Sequence, residues 1–246
     1  LNLTKNCLYS LDKHSDYNNL EVIIVDNMSS DGTCEWLTQF AMDHSSRFKL
    51  ILNDTNMGFS AGNNVGIRQA RGDYVIILNN DTFVSPHWVD LLIRHFANPE
   101  VGMVGPVTNN IGNQAKIPLP SYYTEQDFVK LATINYYDNY NKIYPMVDGS
   151  LAFFCVAIKR EVIDRVGLLD EKFGLGWFED DDYTIRVRNA GYSTIIADDV
   201  LVHHEHSASF GKLDDKFRIE LFAKNKRYFE QKHNIKWIAH VGTRHN

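Results

Sequence analysis

The feature that most restricts the fold of this chain is an alternation. Short β-branched runs take turns with stretches of helical spacing throughout its first hundred residues. Residues 20–26 (Leu-Glu-Val-Ile-Ile-Val-Asp), 48–52, 73–78 and 101–105 read as strands. Residues 1–14, 34–42, 60–70 and 86–96 read as helices, the first with Leu3, Cys7, Leu8 and Leu11 on one face and the last opened by Pro86. Alternation of this kind predicts an α/β fold, a mostly parallel central sheet flanked by helices. In such sheets ligands bind beyond the carboxyl ends of the strands. Two of those ends are polar, Asp26-Asn27 and Asn79-Asn80-Asp81, and they are the first places to look for chemistry.

The second half is less regular. Residues 106–146 are rich in Asn, Tyr and Pro and predict irregular structure with one short helix over 125–131. Beyond them the pattern predicts a long strand (146–158), a short helix (159–166), a helix (179–190), a strand (194–197) and a charged amphipathic helix (214–232). No internal repeat and no linker divides the chain. The expectation is a single domain over 1–246, with 1–105 as one half and 106–246 as the other.

Composition narrows the function. At 246 residues, 44% hydrophobic and 23% charged, the chain can bury a full core, which excludes a disordered, collagen-like or coiled-coil chain. The formal charge is −6 and no basic tract stands out, so a nucleic-acid partner is not expected. An acidic protein that handles an anionic ligand needs local cations, most simply a bound metal. Cys7, Cys34 and Cys155 are odd in number and widely spaced, which predicts neither a disulfide framework nor a Cys-based zinc site, and points to a reducing, cytoplasmic compartment. The longest apolar runs, 75–78 and 151–158, fall far short of the roughly 20 residues that span a bilayer. No signal peptide is visible, and the sequence opens without an initiator Met, as a fragment would.

Five constellations carry candidate chemistry. Asp26-Asn27, followed by Ser29-Ser30-Asp31-Gly32-Thr33, can accept hydrogen bonds from a nucleobase or ribose, or can simply cap a helix. Gly58, Gly62 and Gly66 are four apart. They allow close approach of a phosphate to a helix start, or close helix–sheet packing, the favoured reading for Gly66. The spacing is neither G-x-G-x-x-G nor a P-loop. Asn79-Asn80-Asp81 can offer oxygens to Mg²⁺ or Mn²⁺, or close an Asx-turn. Glu179-Asp180-Asp181-Asp182 follows Trp177-Phe178 and precedes Arg186 and Arg188. Part of that charge can be paired, and a carboxylate pressed against aromatics can act as a base. His203-His204-Glu205-His206 lacks the spacing of a zinc hydrolase, but one of its imidazoles can complete a metal site begun by Asp81.

Taken in order, these stretches resemble glycosyltransferase family 2, the inverting nucleotide-sugar transferases of GT-A fold, and within it the rhamnosyltransferase-like bacterial branch. The matching motifs are Val-Asp-Asn-x-Ser-x-Asp-Gly-Thr, Asn-x-Gly-Phe-Ser-Ala-Gly-Asn-Asn-x-Gly, Leu-Asn-Asn-Asp-Thr, Gly-Leu-Leu-Asp-Glu-x-Phe, Glu-Asp-Asp-Asp-Tyr and His-His-x-x-x-x-Ser. The resemblance implies a nucleotide-binding half (1–105) and an acceptor-side half (106–246). It implies that Asp26, Asn27, Asp31, Gly58, Asn63, Asn79, Asn80 and Gly149 surround the donor nucleotide. Asp81, with His203 or His204, would hold a divalent cation, Mg²⁺ or Mn²⁺. Asp180, with Glu179 beside it, would be the catalytic base; Trp177 would stack on an acceptor sugar or belong to the core, and Asp182 would face the acceptor. Tyr122, Tyr123, Tyr136 and Tyr137 would shape the acceptor side.

The activity implied is transfer of a hexosyl group from a nucleoside-diphosphate sugar to a hydroxyl of a glycan or lipid-linked glycan. The setting would be bacterial surface-polysaccharide synthesis in the cytoplasm, with peripheral contact at the inner face of the membrane. Two departures stand out. An apolar strand that opens the family pattern is absent ahead of residue 1, and Asn79 replaces the first acid of the D-x-D motif. Two rival readings are a sugar-nucleotide pyrophosphorylase, whose Gly-rich Arg/Lys signature is absent here, and a degenerate domain that only binds glycans or partners.

Overall fold

A computed structural model describes residues 1–16, 18–122, 124–205 and 214–239. Tyr123, His206 and Ser209, the last of these part of the His-His-x-x-x-x-Ser match, lie outside the described residues. The first half follows the expected order. It runs α1 (Asn2–His14), β1 (Val22–Asp26), α2 (Thr33–Asp43), β2 (Phe48–Leu52), α3 (Gly58–Gln69), β3 (Tyr74–Leu78), a short β4 (Thr82–Phe83), α4 (Trp88–Ile93) with a 3-10 turn at Arg94–Ala97, and β5 (Val101–Val107). The second half holds α5 (Glu125–Asp138), β6 (Ile143–Pro145), β7 (Cys155–Lys159), α6 (Arg160–Val166), a 3-10 turn at Glu171–Phe173, α7 (Glu179–Asn189), β8 (Ser193–Leu201), a short β9 (His203–His204) and α8 (Asp215–His233).

The main sheet has the order β3-β7-β5-β8-β6. Its period-two alternation is visible strand by strand. Val75, Ile77, Met103, Val156, Ile158 and Ile196 enter the core on one face. Ile76, Leu78, Val104, Cys155, Ala157 and Ile195 enter the core on the other. Both faces are therefore dry, which accounts for strands that read as continuous apolar runs.

Pairing in this sheet is mixed, not mostly parallel as expected. β5·β8 is parallel, whereas β3·β7, β5·β7 and β6·β8 are antiparallel. When both faces of a strand are buried, its side-chain pattern carries no direction. The late strand β7 inserts antiparallel between two earlier ones.

Two expectations for the irregular region change. The helix expected over 125–131 runs on to Asp138, opened by a capping box in which Thr124 and Asp127 exchange hydrogen bonds. Its second half is poor in strong helix formers, and packing decides: Asn135 donates to Asp198 O at 2.8 Å. The strand expected over 146–158 forms only at its end, as β7, and residues 146–154 are a loop that turns at Gly149 (φ 87°). Leu151, Phe153 and Phe154 are buried in it, and apolar content alone does not separate such a loop from a strand.

β1 and β2 form a separate parallel pair. No ladder joins β1 to β3. Residues 22–26 and 74–78 instead line one cavity of about 2140 Å³, which continues to the carboxyl ends of both strands. Cys7, Cys34 and Cys155 are free thiols. No helix among the described residues is long and apolar enough to cross a membrane.

Candidate active site

The cavity ends in a polar cleft above the strands. Asp26, Asn27, Asp31, Gly58, Asn63, Asn79, Asn80, Asp81, Trp177, Glu179, Asp180 and His204 all line it. Gly149, Asp182 and His203 do not. The structure thus brings most of the expected residues to one wall and leaves three elsewhere.

At the end of β1, Asp26 is buried and its Oδ2 accepts the backbone N–H of Ser29 at 3.0 Å, so the turn is closed by the side chain itself. Asn27 is a hub. Its amide donates to Asn56 Oδ1 and Gly58 O, and its carbonyl accepts Asn53 Nδ2 and Met57 N–H. Asp31 is exposed, bound to the Leu1 amine at 2.8 Å and the Thr33 hydroxyl at 2.5 Å. Gly58 starts α3 at φ +81°, and a Cβ there would lie 2.1 Å from Gly174 O. Gly62 and Gly66 pack α3 on β1, facing Asn27 and Val25, so the packing reading holds for Gly66. Asn63 is tied by its side chain to Phe59 O.

Asp81 and His204 meet because β4 pairs with β9 in antiparallel register, Thr82 opposite His204. Asn80 is held from α1, donating to the Thr4 hydroxyl, whereas Asn79 O accepts the hydroxyl of Thr82 in β4 at 2.7 Å. His204 is buried and stacked on Phe154. Its Nδ1 lies 3.1 Å from Asn110 O. A carbonyl only accepts, so Nδ1 carries a proton and Nε2 is the nitrogen turned toward Asp81. That Nε2 is 3.4 Å from Asp81 Oδ1, a buried oxygen with no hydrogen-bond partner among the described residues. Adjacent ligands on an octahedral cation with bonds of about 2.1 Å are about 3 Å apart, so this pair fits two ligands of one divalent ion. No group of three or more acidic, His or Cys ligands occurs among the described residues. His203 points away: its Nδ1 bonds the Tyr122 hydroxyl and its Nε2 faces Glu205 Oε1 at 3.4 Å. Of the two imidazoles, His204 is the one beside Asp81.

The acidic run opens α7, where four carboxylates complement the helix N-terminus. Its members divide. Asp182 is fully buried and accepts Arg186 Nε at 2.9 Å, His233 Nε2 at 2.8 Å and Lys232 Nζ at 2.6 Å, so it braces the fold and does not face an acceptor. Asp181 accepts the Trp237 indole N–H at 3.3 Å. Arg188 donates to the carbonyls of Met146 and Val147. Among the described residues Glu179 keeps a buried Oε2 without a hydrogen-bond partner, and Asp180 Oδ1 accepts the amide N–H of Asp181 at 2.9 Å. Burial, reinforced by the charge of Asp181, pushes Glu179 up to about 7. Burial together with the charges of Asp181 and Glu179 pushes Asp180 well above the usual carboxylate range. Such a pair holds a proton near neutrality and releases it to become a base.

Trp177 lines the cleft and also meets Phe222 edge-on, so it serves both wall and core. Tyr122 bonds His203, while Tyr136 and Tyr137 line a separate small cavity beside α4 and α5. Sequence reasoning missed Asn64 and Asn225. Asn64 is buried and bonds both backbone polar groups of Leu169, tying α3 to the second half. A polar residue on the buried face of a helix was the available signal for both.

Comparison with known proteins follows this geometry. The family model described as Glycosyl transferase family 2 matches residues 2–167. The chain is 27% identical over 256 residues to the uncharacterized protein y4gI of Sinorhizobium fredii, covering 98% of this chain and 26% of that protein. It is 26% identical over 250 residues to the uncharacterized glycosyltransferase YfnE of Bacillus subtilis, covering 85% and 63%. It spans less than two thirds of the length of either. Among solved structures, a mannosyltransferase of Pyrobaculum calidifontis in complex with GDP-Man and Mn²⁺ superposes with a TM-score of 0.64 at 21% identity, over 92% of this chain and 61% of that one. TarS of S. aureus in complex with UDP superposes with 0.60 at 14% identity, over 92% and 68%. These structural likenesses establish the GT-A fold.

Proposed function

The chain belongs to glycosyl transferase family 2, and from that premise we propose that it transfers a sugar from a nucleoside-diphosphate donor to an acceptor hydroxyl with inversion. The observation that carries this reading is one cleft lined both by the Asp81–His204 pair and by the Glu179–Asp180 pair. The first pair suits a cation on a diphosphate, and the second suits removal of a proton from an alcohol.

In this mechanism the donor nucleotide lies over the ends of β1 and β3. Asp26 and the turn after it contact the base or ribose, and Asn27 keeps the start of α3 in place. Asp81 Oδ1 and His204 Nε2 would hold a divalent cation, Mg²⁺ or Mn²⁺, and such an ion would supply positive charge to offset that of the diphosphate. Asp180 accepts the proton of the acceptor hydroxyl as that oxygen attacks the anomeric carbon, and the nucleoside diphosphate leaves from the opposite face. Glu179, buried beside it, raises the affinity of Asp180 for that proton. Trp177 offers a face for the acceptor sugar. A glycan or lipid-linked glycan of a bacterial surface polysaccharide is the acceptor class that we assign, with work at the inner face of the membrane.

Calorimetry with UDP, GDP and dTDP, each with and without Mn²⁺, tests this reading. The expected result is binding of at least one nucleotide that strengthens with Mn²⁺. Asp81→Ala and His204→Ala are expected to weaken that binding at least tenfold and to abolish the metal dependence. Absence of binding by every nucleotide would overturn the reading in favour of a non-catalytic binding domain. A donor screen with UDP-GlcNAc, GDP-mannose and dTDP-rhamnose then identifies the sugar, and release of nucleoside diphosphate, not pyrophosphate, excludes a pyrophosphorylase.

A further inference from the structure

The backbone that leads into the acidic run is strained. Trp177 and Phe178 are both in the left-handed region, at φ 68° and 75°. Consecutive bulky residues persist there only where their surroundings impose it. Those surroundings are α8. Asn225, 1% exposed, is on the buried face of that helix. Its Nδ2 donates to Phe173 O at 2.7 Å and to Gly176 O at 2.8 Å, which uses both amide hydrogens on the loop before the turn. Phe229 of α8 packs with Phe173 and Phe178 in an apolar cluster distinct from the two sheet cores. One end of the helix then reaches past the turn, where Lys232 and His233 grip Asp182. The strained turn is held from both sides by one helix. Glu179 and Asp180 are the two carboxylates between the grips, and among the described residues no cationic side chain acts on either.

We propose that Asn225 is a positioning residue that acts through Asp180: its forked amide fixes the 173–177 backbone so that α7 begins where Asp180 meets the cleft. The proposal rests on the reading of Asp180 as the base. The signal is not one of simple stability. A helix glued to the domain for packing alone needs the aromatic cluster, not a buried amide aimed at two loop carbonyls.

The test is a double-mutant cycle on the full chain with the donor that the screen identifies. Asn225→Asp has the same size but cannot donate to both carbonyls. It is expected to lower kcat 10–100-fold, the size of effect that a displacement of about 1 Å produces. The Kd for the matching nucleoside diphosphate with Mn²⁺ should stay within twofold. The double variant with Asp180→Asn should be no slower than Asp180→Asn alone, because two groups that act as a unit are non-additive. Additive losses, or a Kd that weakens in step with kcat, would overturn the proposal. So would parent-like kcat in Asn225→Asp. Parent-like kcat in Asp180→Asn would instead overturn the assignment of the base, a separate outcome. Amide exchange needs no substrate and covers a poorly folding variant, with Asn225→Ala in its place. Exchange over residues 176–181 should accelerate at least tenfold while α3 is unchanged, and unchanged exchange would overturn the proposal.

Discussion

Asp180 and Asp182 are two residues apart and have opposite environments. Asp182 is ringed by Arg186, Lys232 and His233, whereas Asp180 has no cation beside it among the described residues. Asp180→Asn keeps the shape and removes the basic oxygen. It is expected to lower turnover by about 10²–10⁴-fold, the usual contribution of a general base, with nucleotide Kd unchanged. Parent-like turnover would move the role to Glu179. A second outcome concerns pH. A carboxyl is a base only when ionised, and both members of the pair are raised, Glu179 to about 7. Because Asp180 is held well above the usual carboxylate range, the profile of kcat/KM should fall with decreasing pH well before that range is reached. An ordinary carboxylate would sustain the rate to about pH 4, and a profile flat down to that point would contradict the assignment.

At the scale of elements, α3 is closely fitted to its neighbours through three glycines, Gly58, Gly62 and Gly66. Its first residue, Gly58, combines a left-handed backbone with an approach to Gly174 O that no side chain permits. Gly58→Ala should cost about 2–4 kcal/mol, the sum of left-handed strain and overpacking, read as a lower urea midpoint. Gly112→Ala is the control: a Cβ there meets nothing within 4 Å, and a shift within about 0.5 kcal/mol is expected. This glycine was legible in the sequence as part of a spaced set, but its partner was not, since Gly174 comes from the other half of the chain. The helices and strands of the first half were legible because their periodicity is strong. The second half of α5 and the loop 146–154 were not, because Asn, Tyr and unpatterned apolar residues take their structure from what they pack on.

For the whole molecule, the slot between β1 and β3 is the main asymmetry. β5 and β7 are hydrogen-bonded on both sides and fully buried, while β1 and β3 each have one paired edge and one edge on the cavity. Native-state amide exchange should report it: the cavity-facing amides of β1 and β3 should exchange orders of magnitude faster than those of β5 and β7. Equal protection would mean that another segment occupies the slot.

What the sequence by itself determined is the inventory: an α/β chain, two polar strand ends, an acidic run behind aromatics and a His pair, because propensity, periodicity and residue chemistry are local. The tertiary structure alone decided direction and partnership. It set the antiparallel insertion of β7, the selection of His204 over His203 for Asp81, and the engagement of Asp182 by α8 that leaves Asp180 uncompensated. The physical reason is that these outcomes depend on which groups from distant parts of the chain share a buried volume. A carboxylate's role follows from whether that volume contains a cation.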